Sequence, residues 1–89
     1  MTAQAIDMQS AKHEIRDKVL DLARRRGVKA RELRDDEQIP EAGLLDSAAI
    51  VELVVWFEQH FGVEVDQTEL TIENFGTVDS MANYLQRSR

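Results

Sequence analysis

The chain has no cysteine. That excludes a disulfide framework, a thiol nucleophile and any cysteine-ligated metal. Proline occurs once, at Pro40, the four glycines are scattered, and no low-complexity segment or internal repeat is apparent. The opening "MTAQAIDMQSAKHEIRDKV" lacks an apolar run and carries acids, so neither a signal peptide nor a membrane span is expected, and the expected location is cytoplasmic. Positive charge is missing over a long stretch. From Asp35 to Gln86 there are 12 Asp and Glu and no Lys or Arg. Phosphate binding needs clustered cations on the working surface, which argues against a nucleic-acid partner. There is no glycine-rich phosphate loop and no Gly-x-Ser-x-Gly elbow. Nor does "DDEQIPEAG" match a calcium-binding loop.

What remains is a short soluble chain. Its 89 residues are 43% hydrophobic and 31% charged, which suits one globular domain spanning residues 1–89, expected to be a monomer. The net charge of −6 conceals a division. Residues 1–34 hold 9 Lys and Arg against 5 Asp and Glu, so a basic beginning precedes an acidic remainder. An acidic surface serves solubility, or steers protein partners with basic patches.

Met8, Ala11, Ile15, Val19 and Leu22 recur at helical spacing and mark the inner face of a first helix, with Gly27 as its stop. Arg24, Arg25 and Arg26 read as a solvated helix end that complements the dipole. Residues 27–46 form a long connection, expected to be pinned by Leu33, Ile39 and one of Leu44 or Leu45. A second helix starts at Asp46 or Ser47, runs to about Phe61, and is stopped by Gly62. At about 100° per residue, Ile50, Leu53, Val54, Phe57 and Phe61 share a core face. Ala48, Val51 and Val55 fall on another face, and Trp56 on neither. "VEV" is too short to pair usefully as a strand. Thr71 caps a short third helix through Phe75, Gly76 breaks it, and Thr77 caps a last helix with Val78, Met81, Ala82 and Leu85 inward. The expected fold is all-α: four helices, a long first loop and a short third helix.

His13 and His60 lie outside any two-histidine metal spacing and read as exposed, so no metal site is expected. A Ser47–His60 catalytic pair would have to span 13 helical positions, roughly 20 Å, and cannot meet within one helix. No catalytic residue is assigned. Asp46-Ser47 can be read as a helix cap alone. It can also be read as an exposed serine whose hydroxyl another enzyme reaches, where a phosphate ester would meet free N–H groups and the positive dipole end.

The segment "GLLDSAAIVELVVWFEQHFGVEV" resembles the central helix of acyl carrier and peptidyl carrier proteins. Gly43, Asp46, Ser47 and then Phe61-Gly62-Val63 carry the pattern. The lead-in "AGLLDS" is similar to stand-alone carriers such as D-alanine carrier proteins and discrete carriers of specialised metabolism, and "ELTIENFGTVDSMANYL" resembles their third and fourth helices. The resemblance implies a four-helix carrier bundle that is not an enzyme. Ser47 would carry phosphopantetheine, taken from coenzyme A by a phosphopantetheinyl transferase that also recognises Asp46. The thiol of the arm would hold an acyl or aminoacyl group as a thioester, loaded by an adenylating ligase or acyltransferase and passed to downstream transfer enzymes. Ala48, Val51, Glu52, Val55 and Glu58 would form the partner face. Ala48 stands where the family usually has Leu (Met in D-alanine carriers), and Ala49 where fatty-acid synthesis carriers usually have an acid, which favours a dedicated partner. The alternative is an unmodified helical adaptor that uses the same fold for protein contacts.

Overall fold

The computed structural model of the chain describes residues 7–29 and 31–88. Residues 1–6, where the leaderless start was read, and residues 30 and 89 of the single-domain span lie outside the described residues. Helix α1 is Met8–Arg25, α2 Ser47–Phe61, α3 Ile72–Phe75 and α4 Val78–Ser88. A single 3₁₀ turn, Gln67–Glu69, precedes α3. No strand occurs among the described residues. The fold is all-α, with four helices of which the third is short.

Each boundary has a local cause. Asp7 caps α1 by accepting the amide N–H groups of Gln9 (3.1 Å) and Ser10 (3.4 Å). At the other end Gly27 takes φ 92°. The Val28 amide then donates to the Ala23 carbonyl and the Gly27 amide to the Arg24 carbonyl, both at 3.0 Å. This is a Schellman ending, which needs a residue tolerant of the left-handed region. Thr71 caps α3 through the Asn74 amide (3.3 Å) and Thr77 caps α4 through the Ser80 amide (2.9 Å).

Helix α1 packs on α2 and α4, and α3 packs on α4. Ile15, Val19, Leu53, Phe57, Val78 and Met81 are fully buried between them. Each such side chain contributes about 1.5–3 kcal/mol by leaving water. The long connection is pinned as expected by Leu33 and Ile39, but both Leu44 and Leu45 are buried rather than one. Ile50 and Phe61, placed in the core by the helical wheel, are only half-buried, whereas Ala49 and Tyr84 are buried. The wheel treats α2 as a uniform cylinder. Its first turn instead borders a groove, which leaves Ile50 part-open, and its last turn lies at the rim. There the Phe61 ring meets Phe57 and Trp56 edge-on. Trp56 also has a place: it stacks on His60 with centroids 4.8 Å apart. The His60 Nε2 faces Glu14 of α1 at 2.5 Å.

The basic α1 lies against part of the acidic remainder. Lys12 pairs with Asp79 at 3.0 Å, Arg16 with Asp35, and Arg26 with Asp46 at 2.9 Å. Glu52, Glu64, Asp66 and Glu73 have no basic partner among the described residues. Raising NaCl from about 10 mM to about 150 mM is therefore expected to raise the thermal midpoint, because the Debye length shrinks from roughly 30 Å to 8 Å. A falling midpoint would show that the α1 pairs outweigh the remaining repulsion.

Gly76 joins loop to helices. Its carbonyl accepts the Ile39 amide N–H at 2.8 Å. A Cβ here would lie 2.5 Å from the Ile72 carbonyl oxygen and 2.9 Å from its Cγ2. Gly76→Ala is expected to destabilise by about 1–3 kcal/mol, the usual range for overpacking. Chemical denaturation measures this, and an unchanged midpoint would show that α3 yields freely.

Candidate functional site

The lead-in to α2 is built by burial and a cap. Gly43 turns at φ 75°, Leu44 and Leu45 enter the core, and Asp46 emerges with extended backbone at φ −93° and ψ −176°. Its Oδ1 accepts the Ala49 amide at 2.9 Å, and its carbonyl accepts the Ile50 amide at 2.9 Å. Asp46 is therefore the N-cap, and Ser47 is the first helical residue. Ser47 is exposed, and no group among the described residues hydrogen-bonds its hydroxyl. The amides of Ser47 and Ala48 likewise have no protein acceptor there. An exposed nucleophilic oxygen thus sits beside two unused N–H donors at the positive end of a helix.

Arg26 closes the other side of the cap. Its Nη2 donates to Asp46 Oδ2 at 2.9 Å and its Nη1 to the Leu44 carbonyl at 3.2 Å. The Asp46 carboxyl is held below the usual aspartate range by the Ala49 amide first, with the Arg26 charge adding to it. Arg26 was read from the sequence as part of a solvated helix end. Arg24 and Arg25 fit that reading, pairing with Asp21 at 2.8 and 3.0 Å. Arg26 does not, because the Schellman turn sends it across to a residue 20 positions away.

A groove of about 330 Å³ opens next to Ser47. Pro40 and Leu45 of the loop, Ile50 and Val51 of α2, and Leu70, Ile72 and Phe75 of the α3 region line it. Its walls are mainly apolar. Phe75, the most deeply buried apolar side chain of that lining, stands edge-on to the Phe57 ring with centroids 5.5 Å apart.

Ala48, Val51, Glu52 and Val55 are exposed, the two valines at 53% and 45%. Glu58 is half-buried, and its Oε2 accepts the Val65 amide at 2.7 Å, so it also closes the turn after α2. Two exposed apolar residues join this surface that the sequence reading missed: Leu70 at 37% and Ile72 at 62%. A helix of four residues is too short for periodicity to reveal its faces. No group of three or more acidic or histidine side chains among the described residues could hold a metal ion.

The sequence also contains a short echo of the serine motif. Gly43-Leu44-Leu45-Asp46-Ser47-Ala48-Ala49 and Gly76-Thr77-Val78-Asp79-Ser80-Met81-Ala82 share Gly, Asp, Ser and Ala in the same register. The two serines nevertheless sit in different environments. In the second copy Thr77 takes the cap, which pushes Asp79 and Ser80 into the first helical turn. Ser80 is half-buried and its Oγ accepts the Thr77 hydroxyl at 2.8 Å, while Asp79 is engaged by Lys12. Of these two serines, only Ser47 has a hydroxyl without a partner among the described residues.

A family model described as "phosphopantetheine attachment site" matches residues 15–85. The chain is also 35% identical over 74 residues to a D-alanyl carrier protein of Bacillus velezensis, an alignment covering 83% of this chain and 91% of that protein. The family match runs from inside α1 to inside α4 and takes in the capped serine, the groove and the long loop. The chain belongs to the phosphopantetheine-attachment family and is a carrier protein that tethers groups on a phosphopantetheine arm.

Proposed function

We propose that Ser47 is the attachment point of the arm, and that the chain works as a stand-alone, cytoplasmic, monomeric carrier of a single domain. The observation that carries this is the free Ser47 hydroxyl beside the unused Ser47 and Ala48 amides at the start of α2. Those residues fit a phosphodiester: the unused first-turn donors would bind the anion and the helix dipole would favour it. When attached, the arm supplies a thiol that holds the cargo as a thioester. The chain's own residues do the rest. Asp46 fixes the helix start, and the Ser47 and Ala48 amides would be available to hold the phosphate. The groove walls would shield an apolar part of the arm or its cargo from water.

Members of the family are generally carriers rather than catalysts, and they are served by a phosphopantetheinyl transferase and by loading and transfer enzymes. No helix among the described residues is long and apolar enough to cross a membrane. For this chain we propose no catalytic role of its own, loading by an adenylating ligase or acyltransferase, and a small aminoacyl cargo. The name of the Bacillus velezensis relative supports the cargo. So does the limited groove volume of about 330 Å³, with the buried Phe75 ring in its lining, which favours a short group over a long acyl chain.

Intact-mass measurement after incubation with a phosphopantetheinyl transferase and coenzyme A is expected to show one arm on the wild type. Ser47→Ala should gain none and Ser80→Ala a full arm. Ser47→Ala should also stay folded, because Asp46 still caps; its loss of stability should be below the roughly 1 kcal/mol typical of a lost cap. An arm on Ser47→Ala would overturn the assignment. An unmodified wild type would favour an adaptor role.

Val51 and Val55, with Leu70 and Ile72 nearby, form an exposed apolar strip close to Ser47. Glu52 lies beside it, and this arrangement suits a docking hot spot with a charged rim. Val51→Asp and Val55→Asp are expected to slow modification or loading by about tenfold, equivalent to about 1.4 kcal/mol. Circular dichroism should be unchanged. Full kinetics in both variants would remove the partner-face assignment.

A further inference from the structure

We propose that Arg26 is a positioning residue for arm attachment: its guanidinium bridges the Leu44 carbonyl and the Asp46 carboxylate and so holds the lead-in to α2 in the shape that the transferase binds. The inference rests on Ser47 as the attachment point. It concerns a residue outside the serine motif, on a different helix.

The geometry has three parts. First, the backbone of Arg26 is anchored. It is the last residue before Gly27, and its amide donates to the Ala23 carbonyl at 3.0 Å within the Schellman ending. Second, its two terminal nitrogens engage two different groups, at 3.2 and 2.9 Å, on either side of Leu45. A lysine has a single nitrogen and no rigid fork with which to span them. Third, those two groups flank the segment whose path sets Ser47. Asp46 Oδ1 is committed to the Ala49 amide, and Oδ2 is committed to Arg26. The carboxylate is held from both sides, and with it the first turn of α2.

A bare surface ion pair is worth about 0–1 kcal/mol and would affect stability alone. A clamp that preorders a loop acts differently. Without it, the transferase must order the Asp46 carboxylate and the first turn of α2 as it binds, and that ordering is drawn from binding free energy. The loss then falls on KM and leaves kcat in place.

The test uses the intact chain, a phosphopantetheinyl transferase and coenzyme A, with rates read by intact mass. Arg26→Ala is expected to raise KM about tenfold at unchanged kcat, equivalent to about 1.4 kcal/mol of lost binding. Arg26→Lys should recover part of that. Asp46→Asn retains a capping side chain but loses the charge. On that background Arg26→Ala should change KM by less than about twofold, since coupled residues are not additive. A wild-type KM for Arg26→Ala would overturn the proposal. So would a full further loss on the Asp46→Asn background, which would make Arg26 a direct contact of the transferase.

Two measurements on the unmodified protein stand apart from the reaction. In Arg26→Ala the Asp46 carboxyl should titrate closer to the ordinary aspartate range, and the Ala49 amide should exchange faster. If neither moves, the clamp itself is refuted, whatever the kinetics. If the wild type never gains an arm, the assignment of Ser47 fails, while titration and exchange still decide the clamp.

Discussion

The segment between α1 and α2 has to be held still without regular structure, and the rest of the molecule depends on how that is done. Ordering a residue costs about 1–2 kcal/mol of backbone entropy. Leu33, Ile39, Leu44 and Leu45 offset this by burial, and the Ile39 amide adds a bond to Gly76. The last two anchors are adjacent in sequence. Burying both draws the chain into the core immediately before Asp46 and returns it to the surface at Asp46 and Ser47. The exposure of the serine is therefore a product of core packing, not of a flexible loop.

The same segment gathers the helices. Ile39 reaches the α3–α4 junction at Gly76, the Asp35 carbonyl accepts the Asp79 amide at 2.9 Å, and the lead-in receives Arg26 from the end of α1. Tyr84 ties α4 to the segment before α3. Its hydroxyl donates to Glu69 Oε1 at 2.6 Å, and Arg87 lies over its ring at 5.5 Å while holding Asn74. Burial chiefly, then the Glu69 carboxylate, pushes the Tyr84 phenol above its ordinary range, so it remains a donor at neutral pH. The groove beside Ser47 thus has one wall set by the loop, one by α2 and one tied to α4.

Much of this was legible in the residues. Helix spans, the stops at Gly27 and Gly62 and the caps at Asp46, Thr71 and Thr77 follow from local rules that act over four or five positions. The burial of Ile50 and Phe61 was misjudged because a wheel knows only angle, and their exposure depends on what lies opposite the first and last turns of α2. Arg26 was misread for a related reason. Its partners are 18 and 20 residues away, and only a solved turn at Gly27 reveals which way the side chain points. Leu70 and Ile72 lie in pieces too short to show a period.

The echo between residues 43–49 and 76–82 bears on how such a serine could be read at all. Both segments spell Gly, Asp, Ser and Ala in one register. They differ in which residue takes the cap, and hence in whether the hydroxyl faces water or a neighbouring threonine. A linear peptide copied from either segment would lose that difference, because its cap, its buried leucines and its helix exist only in the folded chain. The address written around Ser47 is topographic: its letters occur twice, its shape once.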